Sequence, residues 1–295
     1  MRCYRPMPMD IKHERIWVPC GKCNFCLQNR RNEWAFRIGY EIKRSQTAHF
    51  ITLTYANENL PLLRDEQTKA TYMVLNKPDI QHFHKLLKQA QNRQFKKDKK
   101  PRSFRDKWKI KYYAVGEYGT KGQRPHYHSI IFNIHPDVMR KIKYGEIWTK
   151  GEIHRGEVND STIQYTAKYV IDAKRPEWTY DPRPKPFATM SKGIGEAYIE
   201  KRKQWHTDAD RLYVSGKGGI KIRMPRYYKD KIFNETERAR IGKMAAEEQE
   251  KLEDKKIEEL IKQFGNEFDA LRAYNEQIRV KHESIKTKSH KLNKF

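Results

Sequence analysis

Apolar positions along this chain change period several times, and each change marks an element. In LQNRRNEWAFRIGYEIKRS, residues 27–45, Leu27, Trp34, Ile38 and Ile42 recur at approximately helical spacing among basic residues, which predicts a basic amphipathic helix. HFITLTYANENLP comes next. Its run from Phe50 to Tyr55 is rich in β-branched and aromatic residues and closes on a turn-like Asn-Glu-Asn-Leu-Pro, so it predicts a strand. From Asp79 to about Gln94 the spacing is helical again: Ile80, Phe83, Leu86, Leu87 and Ala90 share one face, and Pro78 sits near the start, where its missing N–H costs little. The following FKKDKKPRSFRDKWK has no such period and reads as an exposed basic loop, facing either phosphates or solvent.

The centre reads as two short strands, KYYAVGEYG and HYHSIIFNIHP, joined through TKGQRP as an antiparallel hairpin. STIQYTAKYVIDAK then predicts a helix opened by Ser161 and Gln164 in a capping-box arrangement, with Ile163, Ala167, Val170 and Ile171 on one face and an end before Pro176. Strands and helices alternate without a βαβ repeat, which predicts an α+β domain with a central antiparallel sheet and flanking helices. From Asn234, with Glu237 three residues on, the pattern becomes a nearly uninterrupted Glu/Lys/Arg-rich helix. Its Ile257, Leu260, Phe264, Leu271 and Ile278 make a partial seven-residue recurrence, read as packing within the chain or a solvated face in preference to an oligomer through this helix. The expected organisation is a cysteine cluster and basic helix over 1–45, a central domain over 46–232, and a charged helical tail over 233–295.

Composition narrows the partner. The 295 residues include 62 Lys plus Arg against 37 Asp plus Glu, a formal charge of +25, so a polyanion is expected. The 17 Tyr and 6 Trp interleaved with these cations favour single-stranded nucleic acid over a lipid surface. Neither a transmembrane stretch nor the apolar core of a signal peptide is visible, and a cytoplasmic location is the expectation.

Candidate chemistry concentrates in two places. In His126-Tyr127-His128 the imidazoles stand two positions apart on a strand, so they leave the same face and can grip one ion. Glu117, on the preceding strand, can supply a third ligand. Two nitrogens and one oxygen suit Mg²⁺ or Mn²⁺ with room for a phosphate, and Zn²⁺ stays open on ligand types alone. Tyr165 and Tyr169 are one helical turn apart and project together, with Lys168 between them.

The ordered set FITLTY, GEYGTKGQRPHYHSIIF and YTAKY resembles the three motifs of the HUH endonuclease family, in particular the replication initiators of microvirus-group bacteriophages. CGKC-x-x-C with NEWAFR, and PRYY at 225–228, resemble the gokushovirus branch, so the likeness spans roughly 1–232. The resemblance implies an HUH-like fold, a catalytic Mg²⁺ or Mn²⁺ on His126 and His128 with Glu117 as the weaker third ligand, and Tyr165 and Tyr169 as nucleophiles beside Lys168. It implies nicking of single-stranded origin DNA to give a 5′-phosphotyrosine link and a 3′-OH primer, followed by rejoining of the displaced strand, in the cytoplasm of a bacterial host. No ATPase motif is visible, SGKGG at 215–219 lacking the phosphate-loop spacing, so unwinding and extension are expected from a host helicase and DNA polymerase.

Cys3, Cys20, Cys23 and Cys26 are the chain's four cysteines. Their clustering favours a structural Zn²⁺ over free thiols, with an iron–sulfur cluster or a three-cysteine site open. Three rival readings remain: another HUH enzyme such as a transposase or plasmid initiator, a water-using metal phosphoesterase, and a non-enzymatic zinc-containing protein that binds single-stranded nucleic acid by charge.

Overall fold

The computed structural model describes residues 3–11, 14–120, 122–143, 145–172 and 180–291. In chain order the elements are β1 (Met7–Ile11), β2 (Glu14–Val18), α1 (Asn24–Ile42), β3 (Ala48–Thr54), β4 (Leu62–Arg64), β5 (Thr71–Met73), α2 (Lys77–Lys97), α3 (Arg102–Lys107), β6 (Lys111–Tyr118), β7 (Pro125–Phe132), α4 (Pro136–Lys143), β8 (Ile153–Gly156), α5 (Asp160–Asp172), β9 (Phe187–Met190), α6 (Ala197–Thr207), β10 (Tyr213–Ser215), β11 (Lys221–Arg223), α7 (Arg226–Ile232), α8 (Glu235–Phe264) and α9 (Glu267–Lys291). Packing gathers them into two units, 34–197 and the combination of 1–33 with 198–295. This grouping follows contact, whereas the segments 1–45, 46–232 and 233–295 follow composition. Among the described residues no helix is long and apolar enough to cross a membrane.

Unit 34–197 carries a five-stranded antiparallel sheet in the order β8-β3-β7-β6-β9. It is the α+β arrangement expected from the hydrophobic pattern. β7 is central and nearly all of it is buried, because alternate residues serve two cores. Tyr127 and Ile131 join Ile51 and Leu53 of β3 in a core with Ile80, Phe83 and Leu87 of α2 and Val138 and Ile142 of α4. Ile130 and Phe132 join Tyr113 and Val115 of β6 in the other core, with Ile38 of α1 and Ile163 of α5. The face carrying Ile130 is therefore the one that meets α5.

Two local expectations are corrected. The basic loop is not all loop: α2 runs on to Lys97 and a short α3 follows. Leu87, Gln91 and Phe95 continue the buried stripe at four-residue spacing. A polar residue in that stripe hid the continuation; Gln91 is buried because its amide donates to the carbonyls of Trp108 and Asn133. The cap of α5 is Asn159 and not Ser161: Thr162 N–H donates to Asn159 Oδ1 and Asn159 N–H donates to Thr162 Oγ1, each at 2.9 Å. That reciprocal pair, two residues upstream, satisfies the orphan donors first. α5 ends at Asp172; Pro176 and the side chains of Val170 and Ile171 lie outside the described residues.

The core under the sheet contains a histidine. His84 is 1% exposed, stacks on Tyr112 at 3.6 Å between ring centroids, and has Nε2 3.0 Å from Ser129 Oγ. Burial, helped by the charge of Lys88, pushes its pKa down to about 3. The unfolded chain therefore takes up a proton below about pH 6.5 that the folded chain refuses until about 3, so stability is full above 6.5 and falls as pH falls through that window. From this group alone, urea unfolding should show a loss of about 2 kcal/mol between pH 7 and pH 5. His84→Phe should flatten that part of the slope; an unchanged slope would show that His84 is not its source.

In the other unit, Asn234 caps α8 through the expected capping box with Glu237. The long tail helix is interrupted: Gly265, at φ 79°, ends α8 in a left-handed cap, and α9 returns beside it. Leu260 and Ala270 are buried, and Lys256 lies over the Tyr274 ring. Residues equidistant from Gly265 thus face each other, and the partial recurrence serves a helical hairpin. Tyr228 of the PRYY segment is fully buried and stacks on Tyr198, a packing role.

Candidate active site

The register of the sheet assembles the site. In the β6–β7 pairing Glu117 stands directly opposite His126, and Val115 opposite His128. In the β3–β7 pairing Thr52 stands opposite His128. Because opposite residues of an antiparallel pair share a face, Glu117, His126, His128 and Thr52 all leave on the α5 side.

Three groups converge on one carboxylate oxygen. Glu117 Oε1 lies 2.8 Å from His126 Nε2 and 2.7 Å from His128 Nε2, and it accepts a 2.8 Å hydrogen bond from the Tyr165 hydroxyl. That hydroxyl is also 3.4 Å from His128 Nε2. Each imidazole is held from behind. His126 Nδ1–H donates to the Arg124 carbonyl at 3.1 Å, His128 Nδ1 is 2.8 Å from Thr52 Oγ1, and Phe50 stacks on the His128 ring. Anchoring both Nδ1 atoms aims both Nε2 atoms inward, the arrangement in which imidazoles present lone pairs to a cation.

The electrostatics are those of a buried, crowded anion. Burial would raise the pKa of Glu117, but hydrogen bonds from His126 and His128 and their positive charge outweigh it and hold the carboxyl well below the usual range. Burial opposes charge on His126 too, yet the Glu117 contact raises its pKa. For His128, burial and the charge of His126 prevail and its pKa falls. The two imidazoles are thus unequal, one drawn toward the charged form and one toward the neutral form.

α5 delivers the phenol. Ile163 and Ala167 are buried, and Tyr165 reaches Glu117 while Lys168, 1% exposed, places Nζ 5.8 Å from the centre of the Tyr165 ring. Tyr169 belongs to α5, but its side chain lies outside the described residues. The structure therefore brings Glu117, His126, His128, Tyr165 and Lys168 together. Reading by motif missed Thr52, Phe50 and the Arg124 carbonyl. The signal for the first two was present in FITLTY, where Phe50 and Thr52 alternate on one face of a strand.

The four cysteines form a separate group in the other unit, with all Sγ atoms within 4.8 Å of one another. Several aromatics of the basic stretches serve packing: Tyr113 is fully buried, Tyr112 covers His84, and Trp108 stacks on Phe104.

Residues 48–174, which include the sheet-borne ligands and α5, match the family model of replication-associated proteins of the ORF2 type. The chain is similar to Replication-associated protein ORF2 of Spiroplasma virus 4, at 32% identity over 72% of this chain and 66% of the relative. It is also similar to Replication-associated protein VP4 of Bdellovibrio phage phiMH2K, at 31% over 72% and 66%, and to Replication-associated protein ORF4 of Chlamydia phage 1, at 26% over 75% and 55%. The matches span just under two thirds of the first two relatives and about half of the third. No solved structure matches the chain.

Proposed function

The chain belongs to the family of phage replication-associated proteins, and on that premise we propose that it is an HUH-type initiator of rolling-circle replication that nicks single-stranded origin DNA with Tyr165. The observation that carries this reading is the convergence of His126, His128 and the Tyr165 hydroxyl on one oxygen of Glu117.

Tyr165 supplies the nucleophile. A phenol with an ordinary pKa of about 10 attacks slowly at neutral pH and needs positive charge to favour its phenolate. Lys168, buried beside the ring, provides part of that charge. The phenol's hydrogen bond to Glu117 points its oxygen into the site before any substrate arrives. In the reaction the Tyr165 oxygen forms a bond to phosphorus, the bond from phosphorus to the 3′ oxygen breaks, and the departing oxygen takes up a proton. The products are a 5′-phosphotyrosine and a 3′-OH. Because the phosphodiester is exchanged and not hydrolysed, a later attack by a 3′-OH can release Tyr165 and rejoin the strand. Tyr169, one turn away, is the second nucleophile in this scheme.

Glu117, His126 and His128 fit a divalent cation: two inward Nε2 atoms and one carboxylate oxygen meet with both Nδ1 atoms already engaged. When bound, Mg²⁺ or Mn²⁺ would polarise the scissile phosphate and offset the charge that builds during displacement. Thr52 then acts as a positioning residue, and Thr52→Val should weaken Mn²⁺ binding by about 10- to 100-fold while the fold persists; wild-type affinity in that variant would remove Thr52 from the site. A host helicase and DNA polymerase, in the cytoplasm of a bacterial host, complete the proposed cycle.

The test is incubation of the full chain with Mn²⁺ or Mg²⁺ and end-labelled single-stranded oligonucleotides tiled across the source genome, followed by denaturing gels. A metal-dependent protein–DNA adduct at one site is expected. Cleavage without an adduct would point to water as the nucleophile, and salt-sensitive binding without cleavage to a non-enzymatic binding protein.

A further inference from the structure

We propose that Cys3, Cys20, Cys23 and Cys26 bind one structural Zn²⁺, and that this ion organises the seat on which the end of α9 docks through His282. The sulfur geometry fits one ion. A tetrahedral zinc with bonds of about 2.3 Å has its sulfurs about 3.8 Å apart, and Cys3 Sγ and Cys23 Sγ are 3.8 Å apart, with all four sulfurs within 4.8 Å of one another. That spacing is far longer than a disulfide bond of about 2.05 Å. It is also too tight for cysteines spread around several iron atoms.

The backbone is arranged for thiolates. Cys20 N–H donates to Cys3 Sγ at 3.2 Å, and the N–H groups of Lys22 and Cys23 donate to Cys20 Sγ at 3.4 and 3.3 Å. Gly21, at φ 70°, makes the turn that brings these two donors round. Cys23 immediately precedes α1 and Cys26 lies in its first turn, where the positive end of the helix favours anionic sulfur. With four protein ligands the site would be closed, which marks it as structural.

The second half of the proposal rests on which residues meet His282. Its ring stacks on Tyr4 at 4.7 Å and meets the edge of Phe25 at 5.2 Å. Its Nε2 accepts from Asn24 N–H at 3.1 Å, and its carbonyl accepts from the Asn24 side-chain amide at 3.1 Å. Each partner is the sequence neighbour of a cysteine: Tyr4 of Cys3, Asn24 of Cys23, Phe25 of Cys26. Drawing the four sulfurs onto one ion therefore also sets these three residues, and the pocket for His282 exists only while the sulfurs are gathered. The charged tail is then a latch between the end of the chain and its beginning, conditional on metal.

Elemental analysis of the full chain purified without added metal should give one zinc per chain from the cysteines. The Cys23→Ser/Cys26→Ser variant should lose that equivalent, whereas His126→Ala/His128→Ala should keep it, which separates this site from the sheet-borne one. Co²⁺ exchanged into the wild-type chain should show the thiolate charge-transfer and tetrahedral ligand-field bands of a four-sulfur site, a readout that does not depend on the serine variant folding. Hydrogen exchange should show that stripping the zinc with a chelator exposes both residues 3–27 and the segment around His282, and that His282→Ala exposes the latter while keeping the zinc. Four freely titrating thiols without metal, or iron with acid-labile sulfide, would overturn the zinc site. Protection around His282 that survives zinc removal would overturn the latch.

Discussion

Tyr165→Phe is expected to abolish the first nick and its covalent adduct, lowering cleavage by more than about 1,000-fold while leaving DNA binding intact, because the attacking atom is lost and nothing else. The phenol ring that packs beside His128 and under Lys168 is preserved in phenylalanine, so the fold should be unaffected. The hydroxyl that is removed is the one bonded to Glu117 Oε1. Tyr169→Phe should retain the first nick and lose the second transfer, so only the double variant should fail in both steps. The measurement is a denaturing gel of the labelled origin strand with each variant, alongside a binding assay at matched salt. An adduct of undiminished yield with Tyr165→Phe would overturn the assignment of the first nucleophile.

Glu117→Gln should cost about 100-fold or more in Mn²⁺ affinity and leave little cleavage at metal concentrations that saturate the wild type. The exchange keeps the shape of the side chain but removes the anion that holds His126, His128 and Tyr165 around a single oxygen. Calorimetric or paramagnetic titration of Mn²⁺ into the two proteins reads the affinity directly, apart from any assay of DNA. His126→Ala and His128→Ala should behave alike, since each removes one inward nitrogen. Were Glu117→Gln to bind Mn²⁺ as tightly as the wild type, Glu117 would be a partner of the imidazoles alone, and the cation would have to sit elsewhere.

Much of the site was legible before any fold was known. A His-x-His on a strand puts two rings on one face wherever the strand lies, and a Tyr four residues from another on a helix puts both on one side, so these pairs follow from local periodicity. The hairpin through Gly119 to Arg124 set Glu117 within reach of His126, since an antiparallel return must bring some residue opposite. The boundary of α2 and the cap of α5 were misread for equally local reasons. A buried glutamine interrupted one apolar stripe, and two capping patterns overlapped in the other.

The sequence by itself therefore determined the α+β class, the two strands that carry Glu117 and the histidines, the helix that carries the tyrosines, and the clustering of the cysteines. All of these rest on interactions within about ten residues, or on the spacing of four cysteines near one another. Only the tertiary structure decided which partners stand behind the ligands. Thr52 and Phe50 reach His128 because β3 pairs with β7 across more than seventy residues of chain, a register set by which faces of both strands are buried. It likewise decided that the tail folds back at Gly265, and that His282 returns to Asn24, 258 residues away. Such contacts depend on how separate faces pack, and no local period in the chain encodes them.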